Sequence, residues 1–269
     1  MVVERSHREC VLCGTPFTGR SFLCPACSQR YREERPSRVL RQRFYEAVDR
    51  QYPQWANTYG SYNPPYGLLR ELERLPRSVR ILELGCGGGA LLRHLAERGF
   101  RQLVGLDLAR TALGEARRRR TPAFLVLGEA ERLPFRDGAF DVVLAADLIE
   151  HVDDLEMHVV EVARVLRVGG CYLVKTPNRP LAEAYYRLAG LEDYPFWHPS
   201  LLSAGELRSL FARHGFRVRF VPQPRLTPAQ LRKVPTRLLR GLAARVPVDR
   251  LPVFLRPHLE VVATRMPDA

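Results

Sequence analysis

From Val79 onward the chain alternates short apolar runs with longer amphipathic ones. VRILELG (79–85), QLVGLDL (102–108), AFLVLGEA (123–130), AFDVVLAAD (139–147), CYLVKTP (171–177), FRVRFVP (216–222) and HLEVVATR (258–265) have the length and composition of strands. Between them, ALLRHLAERG (90–99), ARTALGEARRRR (109–120), DLEMHVVEVARVLRVGG (154–170) and SAGELRSLFARHG (203–215) carry apolar residues at helical spacing. Ser203, followed three residues later by Glu206, predicts a capping box. Strands that alternate with helices of this length form right-handed βαβ units, so the pattern predicts an α/β fold around a mostly parallel sheet.

Three stretches fall outside this alternation. Residues 1–31 carry two cysteine pairs and read as a small module. Residues 32–65 read as a linker. It starts with a charged helical stretch from about Pro36 to Arg50 and continues as QYPQWANTYGSYNPPYG, rich in aromatics, Pro and Gly. Residues 66–269 form the main domain, interrupted by a basic, proline-broken insertion at about 225–256. There Thr227-Pro228 opens a helix with proline at its first position. Leu231, Val234, Leu238, Leu242 and Val246 share a face of it, and Pro235 is expected to kink it. The insertion reads first as a helical cover over the active site.

Composition narrows the class without deciding the function. The 269 residues are 46% hydrophobic and 26% charged, as in globular proteins, and no run approaches the roughly 18 apolar residues that span a bilayer. MVVERSHREC has no apolar signal segment, so the expected location is cytoplasmic. The formal net charge is +13, but residues 51–212 are balanced and the ends carry the excess. Lys175 and Lys233 are the only lysines, so the basic excess is arginine and argues only weakly for an anionic partner.

ILELGCGGG (81–89) lies between a strand and a helix, where glycines let a ligand approach main-chain N–H groups. Glu83 precedes the loop. Asp107 ends the next strand, where a carboxylate can take both hydroxyls of a ribose. Glu129 ends the third strand, near the place of an adenine. With LVGLDLA, GEAERLPF, FDVVLAADLIEHVDD and RVLRVGGCYLVKTPN in order behind it, the glycine loop resembles that of class I S-adenosylmethionine-dependent methyltransferases, in particular the type 11 group. The resemblance spans roughly residues 66–222 and the final strand. It implies a Rossmann-like, doubly wound sheet of seven strands. It also implies that Glu83 orients the loop near the methionine amino group and that Gly85, Cys86 and Gly87 pack on the methionine part. Asp107 then binds the ribose, with Leu108 under the adenine and Glu129 and Ala130 at its edge. Asp147 and Leu148 face the reaction centre.

For catalysis, His151 is a candidate base or substrate contact, and equally a polar residue at a helix start. His198, with Tyr194 and Trp197, sits in a loop that covers the active site in the family, as substrate contact or as lid packing. NPPY (63–66) matches a motif of amino-group methyltransferases, but it precedes the first strand instead of following the fourth, and it reads as a loop. Cys86 and Cys171 read as small core residues.

Cys10-x2-Cys13-x10-Cys24-x2-Cys27 has the paired spacing of a four-cysteine zinc ribbon, iron or a redox pair being the alternatives. Four protein ligands close the site, so Zn²⁺ there is structural. The expected activity is S-adenosylmethionine-dependent methylation of a small-molecule or lipid-like acceptor. The alternative is RNA, such as ribosomal RNA, bound by the ribbon and the basic ends. The amphipathic insertion suggests a peripheral contact with anionic membrane.

Overall fold

Along the central strands, successive residues point to opposite sides, and both sides are covered. Ile81, Val142, Leu144, Leu173 and Val262 enter one apolar layer; Leu82, Val143, Ala145, Tyr172, Val174, Val261 and Ala263 enter the other. This two-sided burial explains why the strands read as continuous apolar runs. The computed structural model describes residues 6–19, 22–34, 37–51, 65–191, 194–232, 234 and 236–267.

A short hairpin, β1 (Ser6–Glu9) and β2 (Pro16–Gly19), is followed by α1 (Pro25–Glu33), α2 (Arg38–Gln51) and α3 (Tyr66–Glu73). The alternating part then runs β3 (Arg80–Leu84), α4 (Ala90–Glu97), β4 (Gln102–Asp107), α5 (Arg110–Arg118), β5 (Phe124–Leu127) and β6 (Phe140–Ala146). A 3₁₀ turn (Ile149–His151) leads to α6 (Leu155–Val165), β7 (Leu166–Pro177), α7 (Arg179–Ala189), α8 (Tyr194–Trp197), α9 (Ala204–Arg213) and β8 (Phe216–Val221). Two short helices, α10 (Pro228–Arg232) and α11 (Arg237–Ala243), precede β9 (His258–Arg265). The seven strands lie in the order β5-β4-β3-β6-β7-β9-β8, with β9 antiparallel to both neighbours and the other pairings parallel. Helices α3, α4 and α5 cover one face, and α6 and α9 the other. This is the mostly parallel α/β architecture that the strand and helix alternation predicts, doubly wound and seven-stranded as the resemblance implies.

Several elements differ from the sequence expectation. The helix expected over 154–170 ends at Val165, and Leu166 already pairs with Phe140 as the start of β7. The ladder shifts register between Phe140 and Val142. A Cβ at Gly170 would come within 3.0 Å of the carbonyls of Arg167 and Asp141, so this glycine serves close strand approach and not a helix stop. Helix α7 was not anticipated. Asn178 precedes it, a proline sits in its first turn, and Gly190 ends it in the left-handed conformation. The predicted capping box is present: Ser203 Oγ accepts from Glu206 N–H, and the Glu206 carboxylate accepts from Ser203 N–H.

Residues 38–51, expected as a charged helix in a linker, form α2. Its Phe44, Ala47 and Val48 are buried with Cys10, Val11, Leu23 and Cys24 in one small cluster. The insertion forms two short helices, and Lys233, Pro235 and residues 52–64 lie outside the described residues. Tyr66, the end of NPPY, opens α3. Among the described residues, no helix is long and apolar enough to cross a membrane.

Candidate active site

The chain winds from β3 through β4 to β5 on one side and returns to β6 on the other. A cleft opens at the carboxyl ends of these strands, where open α/β sheets bind ligands. Its volume is about 560 Å³, within the range of small-molecule sites.

The glycine loop after β3 forms its floor. Gly85 has φ +66°, and a Cβ there would meet the Leu148 side chain at 2.9 Å, so glycine lets the loop pass the β6 loop without backbone strain or displacement of Leu148. Asp107 Oδ2 accepts from Gly87 N–H at 2.8 Å and Oδ1 from Ala109 N–H at 2.9 Å. One carboxylate thus ties the glycine loop to the start of α5 and stays at the cleft surface. Glu83 is buried below the loop, and its Oε2 has no hydrogen-bond partner among the described residues. Burial, and next the charge of Asp107, push its carboxyl well above the usual range.

Gly85, Gly87, Asp107, Leu108, Glu129 and Ala130 all line the cleft, as do Asp147, Leu148 and His151. Glu83, Cys86 and His198 are not among its lining residues. Asp147 has φ +57°, a conformation that Asp tolerates better than most residues and that clusters at functional sites. Its Oδ2 accepts from the fully buried Lys175 ammonium at 2.5 Å.

His151 donates Nδ1–H to the Trp197 carbonyl at 2.5 Å, with the Tyr45 hydroxyl 3.2 Å from the same nitrogen. That assignment leaves the Nε2 lone pair as the basic site. Burial lowers its pKa to about 4, so the ring is neutral at pH 7. Its neighbour Glu150 is raised to about 8, by burial first and then by the charge of Asp147, and accepts from Thr176 Oγ1. His198 stacks edge-on against His151, with ring centroids 4.5 Å apart, and its Nδ1 is 2.9 Å from the Tyr186 hydroxyl. Tyr194 stacks on Tyr186 at 5.0 Å, and Trp197 packs on Phe22 and Tyr186. The 194–198 segment therefore packs behind the cleft.

Sequence reasoning missed one wall. Arg41, Tyr45 and Arg50 of α2 line the cleft, and among the described residues the 225–256 insertion contributes nothing to its lining. Arg38 pairs with Glu129 at 2.5 Å, and Arg41 with Glu131 and Asp153 at 3.2 and 3.1 Å. Arg38, Arg41 and Tyr45 share a helix face by spacing, which was visible in the sequence; what that face meets was not.

The four cysteines converge, their Sγ atoms all within 4.8 Å of one another. Cys10 and Cys13 flank a turn closed by Gly14 N–H to Cys10 O at 2.8 Å; Cys24 caps α1 and Cys27 lies one turn into it. The 3.7 Å between the Cys13 and Cys24 sulfurs fits the edge of a tetrahedron with Zn–S bonds of about 2.3 Å, roughly 3.8 Å.

Residues 82–174 match the methyltransferase domain family, a span that contains the whole cleft floor. Ubiquinone biosynthesis O-methyltransferases of Mesorhizobium japonicum and Bartonella quintana are 32% identical over 125 residues and 29% over 152. These matches cover 45% and 52% of this chain and 50% and 61% of the relatives. The chain spans about half the length of the curated relatives it matches. The fold is that of class I methyltransferases. A Thermotoga maritima SAM-dependent methyltransferase aligns with TM-score 0.57 and 22% identity, over 82% of this chain and 97% of its own. The [4+2]-cyclase SpnF aligns with TM-score 0.59 and 18% identity, over 87% and 98%. The second likeness cautions that this fold alone does not fix a reaction.

Proposed function

We propose that the protein is an S-adenosylmethionine-dependent methyltransferase acting on a small-molecule or lipid-like acceptor, with a structural Zn²⁺ in the Cys10, Cys13, Cys24, Cys27 cage. The observation that carries the reading is the Asp107 carboxylate, fixed by two backbone N–H groups at the surface of a ligand-sized cleft. The matched methyltransferase domain and the small-molecule chemistry in the relatives' names support it.

S-adenosylmethionine supplies a methyl group already activated by its sulfonium. Asp107 accepts from the ribose hydroxyls, Leu108 and Ala130 border the adenine, and Gly85 and Gly87 let the main chain approach. Glu83 would orient the glycine loop from beneath. His151 takes the acceptor's proton at Nε2 where the nucleophile must lose one. His198 and Trp197 hold the ring of His151 in place. On the insertion, Arg237, Arg245 and Arg250 stand beside exposed Leu239, Leu242, Phe254 and Leu255, which supports a peripheral contact with anionic membrane and suits a lipid-like acceptor.

The test is tritium transfer from labelled S-adenosylmethionine into lipid, small-molecule and RNA fractions of cell extract. Label in the first two is expected. Label in RNA alone overturns the acceptor class, and binding of no cofactor by calorimetry overturns the activity.

A further inference from the structure

We propose that α2 is the roof of the cofactor cleft and that metal in the four-cysteine cage holds this roof closed, so that metal loading sets how tightly the cofactor is retained. The proposal rests on the cofactor reading above.

Helix α2 has two different faces. Phe44, Ala47 and Val48 are buried against Cys10, Val11, Leu23 and Cys24, in a cluster of only seven buried residues. Arg38, Arg41 and Tyr45 lie on the adjoining face, towards the cleft, and Tyr45 also packs against the edge of that cluster. Phe44 and Tyr45 are neighbours in sequence, yet the first belongs to the module's core and the second reaches His151. The 194–198 segment joins the same cluster: Phe196 packs on Phe44 at 4.9 Å and on Tyr31 at 5.4 Å, and Trp197 on Phe22 at 6.5 Å. The cage, the roof and the wall behind His151 are therefore one packed unit.

Among the described residues, none of α2 belongs to either apolar layer of the sheet. Its ties include the exposed Arg38–Glu129 pair, the largely buried Arg41 pairs with Glu131 and Asp153, the Tyr45–His151 hydrogen bond and a contact with α5. A single helix of this length is marginal in water. Its apolar burial is on the inner face, and apart from Phe196 and Trp197 that face packs on a segment too small to keep a core without metal. Loss of metal frees α2, removes Arg41 and Tyr45 from the cleft and opens the adenosine side to water.

The experiment uses the full chain, metal-loaded and stripped by chelator, with S-adenosylhomocysteine as the probe. Stripping is expected to weaken probe affinity at least tenfold, mainly through faster dissociation, and added zinc is expected to restore it. By linkage, saturating probe must raise zinc affinity, measured by competition with a chromogenic chelator, by the same factor. A variant carrying Arg41→Gln and Tyr45→Phe is expected to keep one metal per chain, to bind the probe as weakly as the stripped chain, and to lose the dependence on metal. It also decides the matter if the stripped chain precipitates. Equal affinity with and without metal, or a variant that keeps the full dependence, overturns the roof. A metal-loaded wild-type chain that does not bind the probe overturns the cofactor reading instead, and the roof with it.

Discussion

Seven strands and their helices bury two continuous apolar layers, each with more than a dozen buried side chains, such as Leu82 and Tyr172 in one and Leu92 and Leu144 in the other. The cysteine module buries seven residues, and three of these are borrowed from α2. The first region is held by burial distributed over many contacts. The second hangs on one cage. Damage should therefore be graded in the sheet and all-or-none in the module, although the two meet within a few ångströms at His151 and Tyr45.

The largest expected effect separates them outright. Replacing Cys10→Ser together with Cys24→Ser, or removing metal, is expected to abolish the module's fold, since structural zinc contributes about 10–16 kcal/mol in small domains. Hydrogen exchange should rise across residues 6–51 while β3, β6 and β7 stay protected; protection retained in the module would place its stability elsewhere. In the sheet, Leu82→Ala is expected to cost about 2–5 kcal/mol in urea unfolding without loss of metal. At the cleft, Asp107→Ala is expected to weaken S-adenosylhomocysteine binding by about 100-fold, about 3 kcal/mol, because charge-assisted hydrogen bonds are lost. Calorimetry that finds the affinity unchanged removes Asp107 from the site.

The subtlest effect is on pH. His151 is depressed to about 4 in the folded chain, against about 6.5 when exposed, so between these values the unfolded chain binds more protons. The stability of wild type relative to His151→Asn should thus rise with pH from about 4 to 6.5 and level off above. A difference that is flat from pH 4 to 7 would mean that the ring is not buried as described.

Most of the sheet was legible because its signals are local. Apolar runs with glycine, Asp-Gly or, for the last, proline boundaries marked the seven strands, and Ser203 with Glu206 marked the start of α9. The boundary at Val165 was not legible, since Leu166 and Val168 continue the apolar count whether the backbone is helical or extended; only pairing with Phe140 decides. Helix α7 carried its own signals at Asn178, Pro180 and Gly190 that periodicity alone overlooked. The cleft floor, from Gly85 to Leu148, follows from residues at strand ends. The wall from Arg41 and Tyr45 does not, because a helix face reports its own amphipathicity and not what it will meet some 100 residues later.

That dependence on distant residues also sets an order of events during synthesis. The cage can close as soon as Cys27 has left the ribosome, but the aromatic contacts of Phe22 and Phe44 wait for Phe196 and Trp197. At 5–20 residues per second, that is a lag of roughly ten to thirty seconds. Through this interval Phe22, Tyr31 and Phe44 lack their partners Phe196 and Trp197, and metal capture is the step that can hold the nascent module folded.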